Sequence, residues 1–183
     1  MAYTVSPTAL PGVLVLEPQV FEDSRGAFFE SFSDHAFAAA TGLTRRFVQD
    51  GHSVSGPRVL RGLHYQLVRP QGKLVRVVRG SIFDVAVDLR RSSPTFRQWV
   101  GVELSAANRR QLWVPEGFGH GFVVTSEGAE MLYKTTEVWL PAHDRGVRWD
   151  DPTLAVAWPI SGAPVLSAKD AAAPALADAE LYD

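Results

Sequence analysis

From Val13 to Trp158 the apolar residues come in short runs, rich in Val, Phe and Trp, and Gly, Pro and Ser-rich turns separate one run from the next. Such a succession is the pattern of an all-β sandwich or barrel. The clearest run spans Ser81 to Arg90. There Phe83, Val85, Val87 and Leu89 alternate with Ile82, Asp84, Ala86 and Asp88, so one face is continuously apolar and the other carries two carboxylates. Leu74 to Arg79, Phe96 to Leu104, Gly121 to Thr125 and Ala129 to Trp139 read as further strands.

One segment reads as a helix. Ser33 can cap an Ala-rich stretch running through Ala40, and Gly42 is placed to stop it, which predicts a surface attachment. After Trp158 the chain turns rich in Ala and Pro, and Ala171 to Ala179 is too small-featured to form a core by itself. The segment from about residue 159 is expected to pack on the rest of the chain or fray from it. With no internal repeat, heptad seam or low-complexity block, residues 1–183 are expected to form one domain.

Composition narrows the function. An apolar content of 46% can build a core without disulfides or metals. The 18 basic and 20 acidic side chains leave no excess of the kind that nucleic-acid binding needs. The absence of cysteine excludes a disulfide scaffold and a thiolate metal site. Met1 to Val20 lacks a basic segment followed by a long apolar run, and no stretch reaches the roughly 20 apolar residues of a membrane span. A soluble, cytoplasmic protein without nucleic-acid or membrane partners is expected.

Several residues can carry chemistry, and each has a structural alternative. His64, closing Arg61-Gly62-Leu63-His64, is either a histidine at the edge of a core or a general base. Lys73 follows the Pro70 turn and is either a solvated loop lysine or an ammonium at the mouth of a barrel. The stretch Gln111 to Phe122 is dense in Gly and aromatic residues for a connection between strands, and His120 within it could approach a ligand closely. Alternation should turn one of Tyr133 and Lys134 inward, and an inward Tyr133 could fill the core or act as an acid. Asp170 belongs either to a surface turn or to a carboxylate returning to His64, a pairing that raises imidazole basicity and fixes its tautomer. Metal catalysis is disfavoured: His35, His52, His64, His120 and His143 form no His-x-His pair, and Gln66 stands two positions after His64.

Taken together, Asp23-Ser24-Arg25-Gly26, Phe28 to Phe32, Val59 to His64, Gln71 to Val75, Trp113 to Phe122, Leu132-Tyr133-Lys134 and Leu166 to Asp170 resemble the dTDP-4-dehydrorhamnose 3,5-epimerase family, from about Val13 to about Asp170. The resemblance implies a cupin-type jelly-roll β-barrel or sandwich with a few short helices, commonly a homodimer. It implies a cofactor-free isomerase that inverts C3 and C5 of dTDP-4-keto-6-deoxyglucose through an enolate at C4, yielding dTDP-4-keto-L-rhamnose for dTDP-rhamnose biosynthesis. It makes His64 the base, Asp170 its orienting carboxylate, Tyr133 the acid on the opposite face and Lys73 the enolate stabiliser, with His120 as a second donor. Arg25, Glu30, Gln49, Asp50, Arg61 and Lys169 become substrate contacts, with Arg25 and Glu30 reaching a neighbouring subunit's site. Gly51 stands where the family usually has asparagine, Trp139 where a tyrosine stacks on the thymine, and Asp144 where glutamate is usual. Tryptophan offers a larger π face for that stacking and lacks the phenol hydroxyl. The alternatives are a mono-epimerase acting at C3 or C5, a metal-dependent cupin enzyme, and a non-catalytic sugar-nucleotide binding module.

Overall fold

A computed structural model describes residues 2–183. Its elements run β1 (Tyr3–Pro7), β2 (Leu14–Pro18), β3 (Val20–Asp23), β4 (Gly26–Phe29), α1 (Asp34–Thr41), β5 (Gln49–Ser55), β6 (Leu60–Gln66), β7 (Lys73–Arg79), β8 (Ser81–Asp88), β9 (Trp99–Ser105), β10 (Gln111–Val114), β11 (Phe118–Val124), β12 (Ala129–Thr135), β13 (Asp144–Gly146) and α2 (Ala168–Ala171). Six strands pair in the order β1-β2-β10-β7-β12-β5 and five in the order β13-β6-β11-β8-β9, while β3 and β4 form a hairpin of their own. No strand pairing among the described residues joins the two large sheets, so of the two all-β forms expected the open sandwich is the one adopted.

The alternation in β8 is borne out, but both of its faces are buried. Val85, Val87 and Leu89 turn away from the other sheet and pack with Leu154, Leu176 and Ala179. The opposite face points between the sheets, where Ile82 and Ala86 join the central core. Asp84 and Asp88 lie on that inner face at 0% exposure. Burial alone would raise the Asp88 carboxyl, yet bonds from Arg90, Ser93 and Thr95 hold it down at about 2. The strand expected from Phe96 starts instead at Trp99, because Phe96 and Gln98 close turns onto the Ser93 and Thr95 carbonyls and Arg97 lies at φ 69°.

The C-terminal segment covers the outer face of the five-stranded sheet. Leu176 and Ala179 are buried there, and the Tyr182 hydroxyl donates to the Gln66 carbonyl at 2.8 Å. The predicted helix is α1: Ser33 Oγ accepts from the Ala36 amide at 3.3 Å, and Gly42 ends the helix at φ 72°. It is more than an attachment. Phe37 is 1% exposed and meets Phe47 and Trp113 edge-on, a burial that contributes roughly 2–3 kcal/mol.

The Gly-rich stretch from Gln111 to Phe122 is not a connection. It holds β10 and the start of β11, which belong to different sheets. Its glycines permit close approach of backbones: a Cβ on Gly121 would stand 2.8 Å from the Arg61 carbonyl, and one on Gly62 would stand 2.5 Å from the Gly121 Cα. That contact sets β6 tightly against β11 and fixes the register in which His64 lies opposite His120.

Candidate active site

The inner faces of the two sheets diverge into a cavity of about 600 Å³. The five-stranded sheet supplies His64 and Gln66 from β6 and His120 from β11, and the six-stranded sheet supplies Lys73 from β7 and Tyr133 from β12. Two opposed walls therefore carry the titratable groups that the sequence singled out.

On the first wall the His64 Nε2 lies 2.5 Å from Asp170 Oδ1. Asp170 comes from α2, 106 residues further along, and is 3% exposed, whereas the His64 ring remains 31% exposed to the cavity. The second carboxylate oxygen accepts from Ser167 Oγ at 2.9 Å, and Ser167 also caps α2. Burial pushes the Asp170 carboxyl up, but His64, Ser167 and Lys169 together outweigh it and hold the group below its ordinary value. Ionised Asp170 thus fixes the orientation of the imidazole. The surface-turn alternative for Asp170 does not hold.

Beside it lies a second imidazole–carboxylate pair that the sequence did not identify. His120 Nε2 meets Asp84 Oδ1 at 2.9 Å, with both side chains buried. Among the described residues Asp84 Oδ2 has no hydrogen-bond partner, an unusual condition for a buried carboxylate oxygen. The alternation in β8 had put Asp84 on the face opposite the apolar one. What sequence could not supply was the knowledge that this face is internal. Ser167 was likewise missed, since its role is defined only by the arrival of Asp170 at His64.

On the second wall Tyr133 points inward and packs against the core. Lys134 turns outward, with Nζ 3.0 Å from Asp50 Oδ1. Lys73 opens β7 next to Thr135 of β12. Burial lowers its ammonium from the usual lysine value to about 8, while Asp144 and Asp84 raise it and Lys169 lowers it further. A group poised there is cationic at neutral pH and can still donate a proton.

The rim is a short chain of polar contacts. The Trp139 indole N–H donates to Asp144 Oδ2 at 3.1 Å, and Lys169 Nζ approaches the same oxygen at 2.5 Å. Gln49 Oε1 accepts from the Trp139 amide at 3.0 Å. Trp139 is 54% exposed, so a flat ring is presented beside an ammonium. Arg61 completes the opposite edge, donating to Ser55 Oγ at 3.1 Å.

Not every candidate converges here. Asp50 lies on the outer face with Lys134, and Gly51 lies beneath the Tyr133 ring. Arg25 occupies the turn between β3 and β4, where it pairs with Asp23 at 2.6 Å, and Glu30 directly follows β4. Among the described residues no group of three or more His, Asp or Glu side chains is arranged to hold a metal ion. The cavity instead offers an imidazole–carboxylate pair on one wall and a phenol and a buried ammonium on the other. These are the elements for taking a proton from one face of a carbon acid and returning one to the other.

Comparison with known proteins points the same way. A profile of the dTDP-4-dehydrorhamnose 3,5-epimerase family matches residues 7–178. The dTDP-4-dehydrorhamnose 3,5-epimerase of Pseudomonas aeruginosa is 58% identical over 174 residues, covering 95% of this chain and 96% of that protein. The one from Salmonella typhimurium is 56% identical over 180 residues, covering 98% of each. The solved structure of a Legionella pneumophila dTDP-6-deoxy-D-glucose-3,5-epimerase in complex with dTDP-4-keto-L-rhamnose superposes with a TM-score of 0.94 at 47% identity, over 96% of this chain and 94% of that one. A 3′-monoepimerase from Streptomyces bikiniensis in complex with dTDP-quinovose gives 0.88 at 35% identity, over 93% and 87%.

Proposed function

This chain belongs to the dTDP-4-dehydrorhamnose 3,5-epimerase family, and from that we propose that it inverts C3 and C5 of dTDP-4-keto-6-deoxyglucose to give dTDP-4-keto-L-rhamnose in dTDP-rhamnose biosynthesis. The observation that carries the reading is the pairing of His64 with Asp170 on one wall of a cavity whose other wall presents Tyr133.

Inversion beside a ketone needs a base on one face and an acid on the other. With Nε2 engaged by Asp170, the His64 Nδ1 is the ring nitrogen left to accept the proton from C3 or C5. The electron pair moves to the C4 oxygen, and Lys73, mostly protonated at neutral pH with its pKa at about 8, stabilises the enolate. Tyr133 then delivers a proton to the same carbon from the opposite side. One enolate stabiliser serves both carbons, because both adjoin C4, and the chain's own side chains suffice for every proton transfer.

The nucleotide half fits the rim. Trp139 provides a face for the base, Asp144 holds its indole N–H and Gln49 its backbone amide, and Arg61 and Lys169 bring positive charge to the diphosphate. Trp139 and Asp144 act as a unit, since the shorter carboxylate meets the indole N–H directly.

A homodimer completes the reading. A two-stranded hairpin is marginal on its own, and β3–β4 exposes Phe21 at 49% and Phe28 at 63%. Docking this hairpin on a second copy buries both rings and carries Arg25 and Glu30 towards the partner's cavity. We further propose a cytoplasmic location.

The test is incubation with dTDP-4-keto-6-deoxyglucose in deuterated water, with NMR at C3 and C5 and a reductase to trap the product. Deuterium entry with inversion at both carbons is expected, and His64→Ala should slow entry by about 10³-fold or more. Entry at one carbon alone would move the chain to the mono-epimerases. Near-normal turnover of the alanine variant would remove His64 as the base.

A further inference from the structure

Gly51 lies on β5, the outermost strand of the six-stranded sheet, directly opposite Tyr133 of β12. Its φ is outside the left-handed region, so its backbone conformation is open to any residue. What demands glycine is space. A Cβ at this position would fall within the Tyr133 ring, against Cζ, the hydroxyl oxygen and Cε1. The phenol therefore lies across the strand with its hydroxyl end over the Gly51 backbone. The same inward face of β5 carries side chains at Gln49, Ser53 and Ser55.

We propose that Gly51 is a positioning residue for Tyr133, giving the phenol a resting place against the cavity wall that a side chain at position 51 would abolish. The inference rests on the reading of Tyr133 as the proton donor. The atoms in conflict are the far end of the ring, which rotation about the Tyr133 side-chain torsions can move. With the wall position closed by a Cβ, the phenol must swing into the cavity, towards the carbon that it protonates. While it rests on Gly51, the enolate has time to recover a solvent-derived proton from His64 on the original face, so hydrogen exchange outruns inversion. Gly51 thus sets the partition between exchange and inversion. A purely structural role, in which an aromatic ring covers a glycine on an edge strand, would alter stability and leave this partition untouched.

The experiment compares wild type, Gly51→Ala and Tyr133→Phe in deuterated water, reading deuterium entry and net inversion in the same sample. Protein labelled with 3-fluorotyrosine reports the ring, the Tyr133 signal being the one lost in Tyr133→Phe. In Gly51→Ala the Tyr133 fluorine signal is expected to shift, and inversion per exchange event to rise by about threefold or more. An unchanged or lower ratio overturns the positioning role, and so does a Gly51→Ala protein that fails to fold, because the ring is then fixed packing. Tyr133→Phe separates the two levels of the argument. Loss of inversion in that variant, beside an unchanged ratio in Gly51→Ala, sinks the positioning role alone. Undiminished inversion in Tyr133→Phe sinks the donor assignment and the positioning role with it.

Discussion

The cavity contains two imidazole–carboxylate pairs side by side, and they are built differently. His120 and Asp84 sit on adjacent strands of one sheet, 36 residues apart, and both are buried. His64 and Asp170 are 106 residues apart, the carboxylate arrives on a different element, and the imidazole keeps 31% exposure. In the remote pair both carboxylate oxygens are occupied, by His64 and Ser167, whereas among the described residues one Asp84 oxygen has no hydrogen-bond partner, and the Asp84 carboxylate, after Asp144, raises Lys73. Similar pairs thus have different settings: one orients an imidazole that faces the cavity, and the other places a carboxylate that raises the Lys73 ammonium.

Asp170→Asn is the strongest challenge to that division. It keeps the shape but removes the charge that stabilises imidazolium, and turnover is expected to fall by about 10³-fold in a coupled reductase assay. Retention of more than a tenth of wild-type activity would make the two pairs equivalent. Asp84→Asn should cost less, about tenfold, but it should do something that Asp170→Asn does not. Activity needs Lys73 protonated, so kcat/KM should decline as pH rises through about 8. Because Asp84 raises the Lys73 value, its loss should move that alkaline limb to lower pH, and a limb that stays in place would separate Asp84 from Lys73. Ser167→Ala is the mildest probe. Without the hydroxyl that helps to hold the Asp170 carboxyl down, that carboxyl should titrate at higher pH, read from its own carbon signal in an NMR pH titration. Loss of the α2 cap should also lower stability by about 1 kcal/mol in a urea titration.

How far the sequence revealed these pairs follows from how each is built. The strand content, the capped helix from Ser33 to Gly42 and the turning inward of one of Tyr133 and Lys134 follow from periods and caps within a few residues, and the structure shows that the inward one is Tyr133. His64 and Asp170 could be named separately, but local pattern left both with structural alternatives, because nothing within a short window encodes a contact across 106 residues. Family resemblance joined them. Asp84 was visible as a carboxylate on one face of β8, yet its burial depends on which face meets the other sheet. That the outer face carrying Val85 is itself covered, by Leu154 and Leu176, cannot be anticipated from one strand alone. The same limit applies to Gly51, whose importance lies in the reach of a ring on the neighbouring strand.

The route by which Asp170 reaches His64 bears on when the enzyme becomes an enzyme. The strands bearing His64, Lys73, His120 and Tyr133 all precede the segment that wraps the outer sheet face, and the carboxylate belongs to that late segment. Closing so long a loop is entropically unfavourable until the outer face is there to receive Leu176 and Ala179. With His64 as the proposed base and Asp170 as its proposed partner, competence is tied to completion: a chain still emerging from the ribosome holds the other proposed groups but lacks that partner. Such a chain stays silent until its fold is finished.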